Sequence, residues 1–276
     1  MEKLIITCAL SGAEVTKEHN PSVPYTALEM AESAHQAYLA GASIIHLHAR
    51  WDDGTPTQDA GRFWEIMEAI KAKCPEVIIQ VSTGGAVGMS RDERLGPVTL
   101  NPEMATLDCG TLNFGGDEIF VNTENDIKYF AQALESRGIY KELECFEKGH
   151  VDTVLRLAKR GFINPPYHFS FVLGVNGGAT GTPRDLLFMK ESIPKGSTFT
   201  VSGIGRCQLE MNVMAMLIGG HVRLGLEDNL KYNRERIGVS NAEFVERIVR
   251  IAKELNIEIA TPAEARQILG LPERVK

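Results

Sequence analysis

The chain has 276 residues, 43% of them hydrophobic, and a formal net charge of −7. That length and composition can bury a full core, while the acidic balance argues against a general nucleic-acid or membrane-surface role, so an anionic ligand would need a local cationic site. No apolar run approaches the roughly 20 residues that span a bilayer, the N-terminus enters a strand-like run at once and reads as no signal peptide, and five scattered cysteines fit reduced thiols in a cytoplasm better than a disulfide framework.

Residues 4–10 are the first apolar run, followed by Ser11-Gly12-Ala13-Glu14 and a polar loop to Pro21. Thr26-Ala27-Leu28-Glu29 is a capping-box pattern that opens a helix to about Ala40. Residues 43–47 form a compact apolar run, entered from Ala40-Gly41 and left at Asp52-Asp53-Gly54, hence a buried strand. Side chains alternate along a strand, so His46 and His48 point to one side. A helix over residues 59–73 and a strand over 77–81 follow, the strand ending in Ser82-Thr83-Gly84-Gly85. A looser stretch, residues 91–102, leads to a short strand at 104–107; residues 111–116 and 119–122 extend that unit before a helix at 125–137. The second half repeats the rhythm, with strands at 142–146, 168–173, 198–202 and 221–224 and helices at 151–160, 183–191 and 208–218. A long amphipathic helix at 242–255 and a last helix capped by Thr261-Pro262-Ala263-Glu264 complete the chain.

Eight short strands alternating with eight helices imply a parallel sheet and match an α/β fold of the (β/α)8, or TIM barrel, type. It is expected as a single domain over residues 1–276 with a C-terminal helical extension. An open doubly wound sheet would bring a glycine-rich turn after the first strand to hold a dinucleotide, and Ser11-Gly12-Ala13-Glu14 matches that turn poorly.

In such a barrel the C-terminal strand ends and the loops after them share one site. Those places hold Glu14 after the first strand, His46 and His48 on the second, residues 82–85 after the third, Thr106 on the fourth and Glu144 on the fifth. Asn176-Gly177-Gly178 follows the sixth, Ser202-Gly203-Ile204-Gly205-Arg206 the seventh, and Arg223, Glu227 and Asp228 belong to the eighth. The eighth strand closes against the first, which neighbours the second, so Glu227 or Asp228 can join the two histidines. Two imidazoles, one carboxylate and an open position make a catalytic zinc arrangement; the alternative is a pair of core histidines and a solvated acidic turn. Gly203-x-Gly205-Arg206 stands where barrels bind phosphate through loop amides, or is a tight turn that needs glycine dihedrals. The amides of residues 82–85 can hold a carboxylate or only turn the chain. Glu144 is either a site carboxylate or a partner for a cation. Cys109 and Cys207 have no base beside them and read as structural; no Ser-His-Asp or Cys-His constellation is evident.

Several of these stretches together resemble the beta-keto acid cleavage enzymes: residues 7–14 (T-C-A-L-S-G-A-E), 44–48 (I-I-H-L-H), 80–88 (Q-V-S-T-G-G-A-V-G), 102–107 (P-E-M-A-T-L) and 110–115 (G-T-L-N-F-G). Residues 171–175 (F-V-L-G-V), 203–206 (G-I-G-R), 219–223 (G-G-H-V-R) and 227–229 (E-D-N) continue the likeness over nearly the whole chain. It is nearest to the members that act on 3-keto-5-aminohexanoate in lysine fermentation. The resemblance implies a zinc-dependent barrel that converts a beta-keto acid and acetyl-CoA into acetoacetate and the acyl-CoA of the remaining fragment, here 3-aminobutanoyl-CoA. It matches His46, His48 and Glu227 to the zinc ligands, and Ser82, Gly85 and Thr106 to contacts with the substrate carboxylate. Glu14 matches the contact to the substrate amine, and Arg223 with Asp228 the acid–base pair. Gly203, Gly205 and Arg206 are the expected contacts to the coenzyme.

The chemistry agrees with those residues. Zinc can chelate the keto and carboxylate oxygens and stabilise an enolate. Asp228, kept ionised by Arg223, can remove the alpha proton. The enolate would attack acetyl-CoA, CoA would pass to the neighbouring carbonyl, and a retro-Claisen step would release acetoacetate. Glu14, in a partly dry site, needs a cationic partner, either the substrate ammonium or a protein cation such as Lys17. A zinc hydrolase of the amidohydrolase kind would want its pair on the first strand and histidines at later strand ends, whereas His168 and His221 fall at strand starts. A metal-dependent aldolase would need no CoA, and a barrel used only for binding would lack the polar ring. A homo-oligomer, dimer or tetramer, is expected in the cytoplasm, with neither nucleic acid nor membrane as partner.

Overall fold

Local signals set most of the helices before packing does. Thr26 and Glu29 form a reciprocal capping box, and Asp59, Thr123, Thr182, Ser240 and Thr261 each accept a backbone amide at a helix start. The computed structural model describes residues 2–271; residue 1 and residues 272–276 of the expected domain lie outside them. In chain order the main elements are β1 (Ile6–Ala9), α1 (Ala27–Ala40), β2 (Ile44–Leu47), α2 (Ala60–Lys73), β3 (Ile78–Val81) and β4 (Met104–Asp108). They continue as α3 (Glu124–Glu135), β5 (Tyr140–Cys145), α4 (Lys148–Lys159), β6 (His168–Leu173), α5 (Pro183–Ser192) and β7 (Thr198–Gly203). α6 (Gln208–Leu217), β8 (His221–Leu224), α7 (Asn241–Glu254) and α8 (Pro262–Leu269) complete the order.

The eight strands close into one parallel barrel in sequence order, β8 returning to β1 through Ile6↔Val222 and Thr7↔Arg223. The (β/α)8 architecture expected from the sequence is therefore the observed one. α1 packs between α2 and α7 on the outer layer. Among the described residues no helix is long and apolar enough to cross a membrane.

Between β3 and β4 the stretch read as looser forms one helical turn at Arg91–Arg94 and a 3-10 segment at Gly96–Leu100. Two departures from the sequence reading concern β4. Residues 111–122 do not extend β4. They leave the barrel as an antiparallel hairpin, Leu112–Phe114 with Glu118–Phe120, turned at Gly115 and Gly116 with φ of 68° and 115°. β4 runs one residue further than expected and takes in Asp108.

The N-terminal mouth is plugged. Ile5, Ile44, Ile78, Met104 and Tyr140 meet Ala260, Ala265 and Leu269 of the C-terminal segment. That segment is stitched in by backbone bonds, Leu4 N to Glu258 O at 2.7 Å and Ala260 N to Leu4 O at 2.9 Å. Arg266 adds a bidentate pair with Glu103 at 2.7 and 2.8 Å. His168 and His221 stand at the starts of β6 and β8, the end away from the polar mouth. All five cysteines are free and buried.

Candidate active site

Strand register assembles the C-terminal mouth. Ala9 lies beside His46 and His46 beside Gln80. Asp108 lies beside Glu144, and Ser202 beside Arg223. Gln80 Oε1 sits 2.7 Å from His46 Nδ1; an amide oxygen only accepts, so Nδ1 carries the proton and Nε2 keeps its lone pair. Nε2 of His46 and Nε2 of His48 each lie 3.6 Å from Oε1 of Glu227. The three residues offer ligand atoms within 4.8 Å of one another.

Burial holds both imidazoles neutral, lowering His48 and bringing His46 down to about 3. Burial by itself would raise Glu227, but the charge and hydrogen bond of Arg223 override it and bring its carboxyl down to about 2. Its Oε2 is buried with no hydrogen-bond partner among the described residues. Two neutral imidazoles, an ionised carboxylate and an orphaned oxygen fit a zinc-type cation. The loop after β1 is shaped to admit this ligand: a Cβ on Gly12, at φ +59°, would lie 2.6 Å from Glu227 Cγ.

Arg223 is the hub of the site. Its Nε and Nη2 donate to Asp228 at 3.1 and 3.0 Å, its Nη2 also to Glu227 at 2.5 Å, and its Nη1 to Glu144 at 2.9 Å. The Ser202 hydroxyl donates to Asp228 at 3.0 Å. The sequence expectation was that Arg223 keeps Asp228 ionised. Arg223 does oppose protonation, but its charge is shared among three carboxylates, and burial with Glu227 raises Asp228 above the ordinary aspartate range. Glu144, left open by the sequence, sits between Arg223 and Asp108; burial first and then Asp108 push its carboxyl well up.

The loop of residues 82–85 is held from below. Thr83 N donates to Thr106 Oγ1 at 3.1 Å and Thr83 Oγ1 to Thr106 O at 2.8 Å. Arg94 Nε donates to Thr83 O at 2.6 Å, and its Nη2 reaches Asp108 at 3.2 Å. Ser82 and Gly85 line the cavity, whereas Thr106 lies beneath that lining. After β7, a Cβ on Gly203 would meet Cys207 O at 2.7 Å, and the Gly205 amide donates to Asp228 O at 2.7 Å. Gly203 thus serves the turn and is not in the cavity lining, whereas Gly205 lines the cavity with Ile204, Arg206 and Cys207.

Glu14 lines the same cavity and has no ion pair among the described residues. Lys17, its sequence neighbour, is taken by Glu29 at 2.5 Å. Partial desolvation and then Glu118 raise the Glu14 carboxyl, against Arg50. Arg50 is buried and pins the loop, donating to Gly12 O and Val15 O at 2.9 and 2.7 Å. Sequence reasoning missed Gln80, Asp108, Arg94 and the cations Lys231, Arg234 and Arg247 at the rim. Period-two alternation from Ser82 and Thr106 would have found the first two. The rim cations carry no periodic signal.

A closed parallel barrel, whose C-terminal mouth gathers a metal-type triad and an arginine–carboxylate network, defines a (β/α)8-barrel enzyme. Residues 3–271 match the family described as beta-keto acid cleavage enzyme, and the chain belongs to that family. It is 64% identical, over 98% of its length and 99% of the relative's, to the 3-keto-5-aminohexanoate cleavage enzyme of Fusobacterium nucleatum subsp. nucleatum. The corresponding figures for the enzyme of that name from Acetoanaerobium sticklandii are 59%, 98% and 99%. A 3-oxoadipate:acetyl-CoA acetyltransferase of Cupriavidus necator is 35% identical over 97% of this chain and 95% of its own. In structure, ObcA in a ternary complex with a C4-CoA adduct and oxalate shares the fold at a TM-score of 0.82 and 19% identity, over 91% of this chain and 68% of that one.

Proposed function

We propose that this protein converts 3-keto-5-aminohexanoate and acetyl-CoA into acetoacetate and 3-aminobutanoyl-CoA. The observation that carries the reading is that Asp228, held by Arg223, opens into the same cavity as the His46–His48–Glu227 triad. Similarity to enzymes named for that keto acid supports the substrate.

His46, His48 and Glu227 would hold zinc, which when bound supplies Lewis-acid polarisation of the keto acid's oxygens. Ser82 and the Gly85 amide would receive the substrate carboxylate, with Thr106 fixing their loop. Asp228, raised by burial, is a stronger base than an ordinary aspartate and takes the C2 proton. C2 attacks the acetyl carbonyl and expels CoA as thiolate, which adds to the C3 carbonyl. The C2–C3 bond breaks, its electron pair returns to C2, and C2 recovers the proton from Asp228. Acetoacetate and the acyl-CoA leave with no net proton change. Glu14, with Lys17 engaged elsewhere, takes the ammonium. The reaction would belong to lysine fermentation in the cytoplasm, carried out by a homo-oligomer.

The test is acetoacetate formation by the purified, zinc-loaded protein across a panel of beta-keto acids, with and without acetyl-CoA. Production that needs acetyl-CoA and is fastest with the amino substrate is expected; acetoacetate released without acetyl-CoA would overturn the reading in favour of an aldolase. Glu14→Gln should lose about 1.5–3 kcal/mol of a charge-assisted contact with the amino substrate and little with an uncharged keto acid. Equal loss on both would remove Glu14 from the amine.

A further inference from the structure

The cavity measures about 1340 Å³, above the roughly 300–1,000 Å³ usual for one small ligand. Its charge is divided. Asp108, Glu144, Glu227 and Asp228 are its buried and half-buried carboxylates, while Arg206, Lys231 and Arg234 are exposed at the rim with Arg247 beneath them. Glu14 and Glu210 are exposed carboxylates of the lining, and neither forms an ion pair with these cations among the described residues. Some surface cations elsewhere are paired, Arg236 with Glu243, Lys73 with Glu32 and Arg156 with Glu124, and others, such as Lys190 and Lys195, stand singly among the described residues; what sets the rim apart is four cations gathered on one cavity. None of the four rim cations has a carboxylate within ion-pair distance among the described residues, in a chain with 36 acidic and 29 basic side chains.

Arg247 is the telling member. It is only 7% exposed, and Tyr232 and Phe244 cover it, with ring centroids 4.2 and 5.4 Å from its guanidinium carbon. It donates one bond to the Tyr232 carbonyl, and its Nε is buried without a partner. Arg236 lies 4.1 Å from the same Tyr232 ring but is neutralised by Glu243 at 2.8 Å. A buried guanidinium without a counter-charge is costly. An anion on the rim offsets that cost, and a guanidinium matches phosphate in shape and charge.

We infer that this rim receives the phosphates of the coenzyme A thioester, with Arg247 as the buried floor and Arg206, Lys231 and Arg234 as the exposed fringe. The inference rests on acetyl-CoA being the co-substrate. The buried and half-buried carboxylates repel the phosphates, so the charge division also orients the coenzyme, with its thioester end toward the acidic interior and its nucleotide end outside.

The test is calorimetric binding of coenzyme A, 3′-dephospho-coenzyme A and pantetheine to the zinc-loaded protein, with no turnover required. Arg247→Met and the exposed double variant Lys231→Ala/Arg234→Ala should each weaken coenzyme A about tenfold or more, and leave pantetheine affinity unchanged. Coenzyme A affinity should fall with salt in the wild type and less steeply in the double variant. The dephospho compound tells the 3′-phosphate from the pyrophosphate as the group held. Coenzyme A binding within twofold of wild type in both variants, or equal weakening of coenzyme A and pantetheine, overturns the inference. Unweakened coenzyme A binding in variants of a protein that does turn over acetyl-CoA sinks the rim alone. Weakened binding in a protein with no such turnover sinks the proposed reaction and leaves the rim standing.

Discussion

The two mouths of the barrel are built from the same strands and carry opposite chemistry. β2 begins with Ile44 and carries His46 further along; β3 begins with Ile78 and carries Gln80, β4 begins with Met104 and ends in Asp108, and β5 begins with Tyr140 and carries Glu144. At the N-terminal end apolar side chains meet α8 in a closed cluster. At the C-terminal end one guanidinium, Arg223, is buried among three carboxylates. Burying those charges is expensive and tolerable only because they satisfy one another, whereas the plug gains stability from area removed from water. The difference separates labour along each strand: one end holds the fold together and the other does chemistry at the fold's expense.

Substitutions at the two ends should therefore fail in different ways. The largest effect is expected of His48→Ala, which should lose both the metal and turnover; stoichiometric metal retained in His46→Ala/His48→Ala, read by anomalous scattering or elemental analysis, would remove the triad from its role. Asp228→Asn should lower kcat by about 10²–10⁴ while zinc content holds. Near-wild-type rates would move proton abstraction elsewhere. At the plug, Leu269→Ala should cost about 2–5 kcal/mol of unfolding free energy and leave KM for both substrates where it was. A shifted KM would show that the two ends are not separate.

The smallest effect is a pH dependence at the plugged end. Burial first, and then His168, bring His221 down to about 3. Below the unfolded value of about 6.5 the unfolded chain gains a proton that the native imidazole does not accept. The stability tied to this residue is thus present above that pH and drains away as pH falls. By pH 5 it amounts to about 2 kcal/mol. His221→Asn keeps an acceptor for the Ile5 amide that His221 Nδ1 takes at 3.2 Å. In urea melts its loss of stability between pH 7 and pH 5 should be smaller than wild type by about that amount; an unchanged difference would show that His221 does not titrate on unfolding.

How far the sequence could be read depended on whether a residue's partner was near in pattern. β6 and β8 fall on the expected residues because apolar runs there end abruptly in turn signals. The His46–His48 pair was legible because two-residue spacing alone puts both on one side. Asp108 escaped because a charged residue at the end of an apolar run reads as the loop. Lys17 was a plausible partner for Glu14 by proximity along the chain, yet it is held by Glu29 across the first turn of α1. Arg247 escaped because it lies on α7, whose apolar face drew the attention, and its neighbour Tyr232 comes from an irregular loop.

The closure of β8 on β1, with Leu4 bonded to the segment before α8, has a consequence in time. A chain made from its N-terminus exposes His46 and His48 long before Glu227. At about 5–20 residues per second the interval is roughly 10 to 40 s. Until then β1 has neither β8 nor Leu4's late partners beside it, and its free edge shows unpaired amides to any neighbouring chain. A cation that requires all three side chains can settle only after the last strand has arrived. Metal uptake during synthesis would therefore report completion of the barrel, and a ribosome stalled between β7 and β8 should hold a chain that has both imidazoles and captures nothing.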